Sequence, residues 1–78
     1  MVTNFRQNLS PMQNERLKLI KEMLETNPED SFLKYAAALE YEKDGNRKSA
    51  IALIEDLLSK DETYLGGYYK LGKLYEGE

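Results

Sequence analysis

The sequence predicts an all-α fold of about four helices, paired as antiparallel hairpins. Apolar residues recur at spacings of three and four in four successive segments, as in helices with one covered face. No stretch alternates apolar and polar residues with period two, so strands are not expected. The chain also matches itself when shifted by 34 residues, which points to a repeated helical unit.

Composition narrows the function classes. At 78 residues the chain is one small domain or part of a larger array. Cores of this size rarely supply more than about 3–5 kcal/mol without added staples. Cys and His are both absent, which removes disulfides, thiolate metal sites and the usual general base. The remaining carboxylates give no catalytic, cofactor or metal set, so neither an enzyme nor a cofactor is expected. The formal charge of −3, with both signs interspersed, opposes the basic footprint of a nucleic-acid binder. "MVTNFRQNLS" has no apolar run and reads as neither signal peptide nor membrane anchor. Residues 1–10 are expected to be a disordered or extended tail, and the expected setting is cytoplasmic.

The elements follow in order. In "SPMQ", Ser10 can cap a helix, Pro11 suits the first helical position, and Gln13 stands where a capping-box partner belongs. Leu17, Leu19, Ile20, Met23 and Leu24 then mark one helical face. "TNPED" ends that helix, because the residue before Pro28 is pushed from helical geometry. Asn27 can cap the second helix, with Pro28 first and Glu29 and Asp30 at the positive end of the dipole. That helix carries Phe32, Leu33, Tyr35, Ala36, Ala38, Leu39 and Tyr41, and stops at Gly45. Asn46 can cap a third helix bearing Ala50, Ile51, Leu53, Ile54, Leu57 and Leu58. Asp61 can cap a fourth, which runs to about Glu76.

The self-match runs through two helices in one register. A shift of 34 places Leu19 on Leu53, Ile20 on Ile54, Met23 on Leu57 and Leu24 on Leu58. It also places Tyr35 on Tyr69, Ala38 on Gly72, Tyr41 on Tyr75 and Glu42 on Glu76. In "YYKLGKLY", Tyr68, Leu71, Gly72 and Tyr75 stand at the spacing of W-x₂-L-G-x₂-Y, with Tyr for Trp. Gly45, Ala50 and Ile54 supply the turn, small residue and large residue that follow, and Asn27-Pro28 the closing proline. One copy earlier, Lys34, Ala37, Ala38 and Tyr41 hold the first element in degenerate form. This pattern resembles the tetratricopeptide repeat.

The resemblance implies a short right-handed solenoid over residues 11–78: a half repeat at 11–30, a full repeat at 31–64 and a half repeat at 65–78. Physical reasons stand beside it. Small residues at Ala38, Gly72 and Ala50 allow close helix contact, and Tyr41 and Tyr75 fill the wedge where helices diverge. Ile54 and Leu57 bridge to the neighbouring pair, each buried side chain contributing about 1.5–3 kcal/mol. Arg16 stands where Ala50 stands one repeat later, so it is expected to reach solvent beside no partner helix. At the other end, Tyr68, Leu71 and Tyr75 form an aromatic face with no following helix. That face is expected to mediate self-association, as a homodimer through the last helix or as the joint of a longer array.

In this family the first helices of successive repeats line a concave groove for a peptide or a partner surface. Carried onto this chain, the groove residues are Tyr35, Leu39 and Glu42, then Tyr69, Lys73 and Glu76. The competing structural reading is that Tyr35 and Leu39 pack on the first helix as core. Tyr35 and Leu39 are not the cationic and amide set that holds a C-terminal carboxylate, so chaperone-tail binding is not expected. Gly66-Gly67 admits two readings, close approach of a ligand backbone or a loosely formed helix start. Glu40 and Asp44 read as a solvated i, i+4 pair, and Lys43, Arg47 and Lys48 as helix-end charges. "KDGNRK" lacks the oxygen ligands of a calcium loop. The expected function is a protein or peptide interaction scaffold without catalysis or membrane contact. The alternatives are an RNA-binding helical repeat that stacks bases on tyrosines, and a structural self-association module.

Overall fold

The computed structural model describes residues 14–77 and holds no strand among them. Four helices follow in order: α1 (Glu15–Thr26), α2 (Ser31–Lys43), α3 (Arg47–Lys60) and α4 (Leu65–Glu76). The all-α class is the one the periodicity predicts. The tail expected over residues 1–10 and the "SPMQ" cap lie outside the described residues.

Of the expected caps, Asn46 holds: its side chain accepts the Ser49 N–H at 3.2 Å. Gly45, at φ +82°, takes the left-handed turn that separates α2 from α3. Two other caps are displaced. Asn27 closes α1 instead, its N–H donating to the Met23 carbonyl at 3.0 Å. Asp30, three residues on, caps α2 by accepting the Leu33 N–H at 2.9 Å. Pro28 therefore lies in a turn, closed by Asp30 N–H on the Asn27 carbonyl. The same substitution of roles recurs one period later. Asp61 closes α3, its N–H on Leu57, and Tyr64 donates back to the Asp61 carbonyl. Tyr64 is the N-cap of α4 and offers no side-chain cap. A helix that ends on a residue occupies the backbone groups with which that residue would start the next.

Successive helices pack in chain order: α1 on α2, α2 on α3, α3 on α4. One apolar cluster joins Leu17 and Ile20 of α1 to Ala37 of α2. A second joins Ala38 of α2, Ala50, Ile54 and Leu58 of α3, and Leu74 of α4. Tyr41 and Leu53 pack against both. The face that α4 lays on α3 is Gly67, Leu71 and Leu74, which corresponds at a spacing of 34 to Leu33, Ala37 and Glu40 on α2. The sequence reading missed Leu74, one of the three largest fully buried side chains.

This placement corrects the expected roles of four residues. Leu71 packs half-buried against the core rather than joining an outer face. Tyr75 is 55% exposed and does not fill a wedge as Tyr41 does. Gly72 makes no close helix contact, since a Cβ there would meet nothing within 4 Å. Gly67 is the close contact, where a Cβ would stand 3.0 Å from Leu58 Cδ2. Both glycines lie in α4, and only its rotation about its own axis decides which one faces α3.

Two glycine substitutions test this orientation. Gly72→Ala should raise the melting temperature, because an exposed helical Gly costs about 0.8–1.0 kcal/mol relative to Ala. Gly67→Val should lower it, by about 1–3 kcal/mol of overpacking against Leu58. Thermal melts followed by circular dichroism measure both, and the reverse order of stabilities would refute the stated rotation of α4.

Candidate functional site

The residues nominated for a groove fall on α2 and α4, which lie side by side. Lys70 Nζ on α4 reaches Glu42 Oε1 on α2 at 2.8 Å. The Tyr35 ring meets that of Tyr64, just before α4, with centroids 5.4 Å apart and planes tilted by 45°. Tyr35 and Leu39 are half-buried and belong to neither apolar cluster, so neither serves as core against α1. Glu42 is exposed and turned toward Lys70. On α4, the Lys73 ammonium lies 5.9 Å from the Tyr69 ring centroid and 3.9 Å from Glu76 Oε1. Helical spacing alone brings those three together.

Two shallow depressions flank this surface. One, of about 400 Å³, is lined by Tyr35, Thr63, Tyr64, Leu65 and Gly66. The other, of about 230 Å³, holds Glu42, Lys73 and Leu74. Phe32 and Leu65 extend the two stripes and are 66% and 76% exposed. The sequence reading missed both as surface residues, although Phe32 precedes Tyr35 by three and Leu65 precedes Tyr69 by four. That spacing was the available signal. The Gly66-Gly67 alternatives divide: Gly66 lines the first depression, while Gly67 serves the α3 contact.

Larger depressions lie elsewhere, the first between α1 and α2 and the second between α1, α2 and α3. One of about 610 Å³ includes Asn14, Leu17, Lys18, Lys21 and Tyr41, and one of about 410 Å³ includes Lys21, Leu24, Ala37, Tyr41 and Leu53. Lys21 sits 5.6 Å above the Tyr41 ring between them. Nothing in the sequence marks these, because they form only where packed helices diverge. Their walls mix lysines and carboxylates in similar number. Among the described residues, no group of three or more carboxylates could hold a metal ion, and no helix is long and apolar enough to cross a membrane.

Two charges are buried on α2, contrary to the expected solvated pattern. Glu40 does not form a solvated pair with Asp44; Arg16 Nε on α1 holds it at 3.0 Å, with Lys43 at 3.7 Å. Arg16 is accordingly not free, although its side chain is 73% exposed. Lys34 bonds Asp56 of α3 at 3.0 Å and Glu29 at 3.1 Å. Burial by itself lowers the Lys34 pKa, but hydrogen bonds and charge from Asp56 and Glu29 outweigh it and the net shift is upward. Asp56 is held below the usual carboxylate range, first by its bond to Lys34 and then by Lys60. Asp61 is lowered too, by the hydroxyls of Ser31 and Thr63.

The face nominated for self-association is partly engaged. Tyr68 and Tyr75 are each about half exposed, and the Tyr75 hydroxyl donates to the Glu55 carboxylate on α3. That bond raises the Tyr75 pKa. Of the hairpin cations, Lys43 joins Glu40 and Arg47 Nη1 donates to the Gly77 carbonyl at 2.6 Å. In comparisons with known proteins, no family model, no curated protein and no solved structure matches this chain.

The Lys34–Asp56 pair has a pH signature. Asp56, with a depressed folded pKa, stabilises the fold above its unfolded pKa and loses that contribution as pH falls through the folded value. Lys34, raised, keeps its contribution below its unfolded pKa and loses it at higher pH. The melting temperature should therefore fall as pH drops below about 4, and Asp56→Asn should flatten that acid limb while lowering stability at neutral pH. A limb as steep in Asp56→Asn as in the wild type would show that this pair does not set it. For Glu40, Arg16→Ala should cost about 1 kcal/mol by leaving a buried carboxylate, whereas Glu40→Leu, the residue found at Leu74, should be neutral or stabilising. Chemical denaturation of both variants gives the comparison.

Proposed function

We propose that this chain is a protein–protein interaction module of the tetratricopeptide type. In this reading it holds an extended peptide or a partner's surface across α2 and α4 and performs no chemistry itself. The supporting observation is the pair of adjacent stripes, Phe32, Tyr35 and Leu39 on α2 and Leu65 and Tyr69 on α4, tied side by side by Lys70 and Glu42. Exposed aromatic side chains give large contact area at low entropic cost and carry a disproportionate share of contact energy. Glu42, Lys73 and Glu76 edge this apolar strip with mixed charge. Lys70 and Lys73 each pair with a glutamate, which suits a mixed-charge peptide better than a run of phosphates. The 34-residue register, with α2 and α4 as equivalent helices, supports the family reading and the solenoid arrangement.

Selection of a random peptide library on the immobilised chain tests this. Selected peptides should bind the chain in solution, and Tyr69→Ala combined with Phe32→Ala should weaken them about tenfold, or about 1.4 kcal/mol, with unchanged helicity. Equal affinity for the double variant would place the peptide elsewhere. Salt-sensitive binding of mixed single-stranded RNA, in the absence of any selected peptide, would favour the RNA-binding alternative instead.

A further inference from the structure

The two outer helices leave open, among the described residues, the positions that the two inner helices cover. On α2, Lys34 reaches α3 through Asp56, while Ala38 and Tyr41 pack into the cluster with Ala50 and Ile54. Their counterparts 34 residues later on α4, Tyr68, Gly72 and Tyr75, are exposed. On α3, Ala50 and Leu57 are fully buried and Leu53 half-buried. Their counterparts on α1 are Arg16, Leu19 and Met23, and all three are exposed. Each open face is thus the counterpart of one partner in a contact the chain already makes.

We propose that the two faces bind each other between molecules: α4 of one copy packs antiparallel on α1 of the next, as α2 packs on α3 within the chain. Transferring the α2–α3 register makes the residues complementary. Tyr68 takes the place of Lys34 and Glu22 that of Asp56, so a phenol hydroxyl donates to a carboxylate where an ammonium does within the chain. Gly72 comes opposite Arg16, where Ala38 faces Ala50. The open space around Gly72 accommodates the arginine stem. Arg16 keeps Nε on Glu40 while the rest of its exposed guanidinium meets the Glu55 carboxylate of α3, which accepts from Tyr75 near the end of α4. Leu19 and Met23 cover the rings of Tyr68 and Tyr75. The contact is apolar at its centre and matched in charge at its ends.

A second copy is the occupant because it supplies both halves at once. A two-fold pairing of α4 with itself would cover the tyrosines but leave Leu19 and Met23 open. A head-to-tail contact uses different surfaces on each partner and does not close on itself, so copies add in open-ended rows. None of these residues belongs to the α2/α4 peptide surface, and the inference stands or falls independently of it.

Sedimentation of the wild-type chain should show an average mass that rises with concentration without a plateau at the dimer. Tyr75→Lys blocks the α4 face and Leu19→Lys blocks the α1 face. Each alone should associate about tenfold more weakly or less. Mixed in equal amounts they should form a one-to-one heterodimer that grows no further, because each brings one intact face. Circular dichroism establishes that both remain folded; Tyr68→Glu, which sets a carboxylate against Glu22, with Met23→Glu is a second such pair. A wild type that stays monomeric at every concentration overturns the proposal. So does a wild type that stops at a dimer which Leu19→Lys leaves intact, since that is the two-fold pairing of α4.

Discussion

The contact of Ala38 with Ala50 is the one on which the rest of this structure depends. Both are essentially inaccessible, and their small side chains let α2 and α3 approach closely enough for Ile54 and Leu58 to reach past them. Tyr41 and Leu53 flank this contact and pack into both apolar clusters, so the two clusters are joined through the same pair of helices. α1 attaches to it through the cluster of Leu17 and Ile20 with Ala37, and α4 through Leu74 in the cluster with Ala38, Ala50, Ile54 and Leu58. A larger residue at Ala38 or Ala50 would separate α2 from α3 and loosen both attachments together. In so small a core, where each buried Leu or Ile supplies about 1.5–3 kcal/mol, that one separation removes a large share of the stability.

The two inner helices are each packed on two sides, and α2 carries two buried charges, Lys34 and Glu40. Each finds its partner on a different neighbour. Glu40 reaches Arg16 on α1, and Lys34 reaches Asp56 on α3. Such pairs add little net stability, because desolvation offsets much of the attraction. Their geometric effect is larger: sliding either neighbour along α2 strands a charge away from water. They hold α1 and α3 in register on α2, a task that the smooth surfaces of Ala37 and Ala38 cannot do alone.

Among the described residues, the outer helices are covered on one side only. α4 starts on Tyr64 without a side-chain cap and carries Gly66 and Gly67 in its first turn, so its start is held by packing rather than by local preference. Leu74 and the close seating of Gly67 on Leu58 supply that packing. The α2/α4 surface exists only while α4 is docked, which makes the proposed recognition depend on Leu74, a buried residue. Elements anchored on one face open before those anchored on two, so α1 and α4 should open before α2 and α3.

Taken alone, the sequence determined the four helices, the left-handed turn at Gly45, the Asn46 cap and the 34-residue register, because each of these is local or periodic. An apolar residue every three or four positions needs no neighbour to specify a helix, and a glycine at φ +82° needs only its own backbone. The repeat resemblance, and not a local signal, nominated Tyr35, Leu39 and Glu42 on one stripe and Tyr69, Lys73 and Glu76 on another. The local signals could not tell which stripe of α4 meets α3. Gly67 and Gly72 read alike in a sequence, as do Leu71 and Leu74, and only the docking of α4 distinguishes a buried glycine from a bare one. Nor could they show that Glu40 is buried, since its partner Arg16 lies 24 residues away on a helix whose position depends on the packing of α2. Local chemistry decided which segments are helices, and the tertiary structure decided which faces they cover, because burial belongs to a pair of surfaces and not to either one alone.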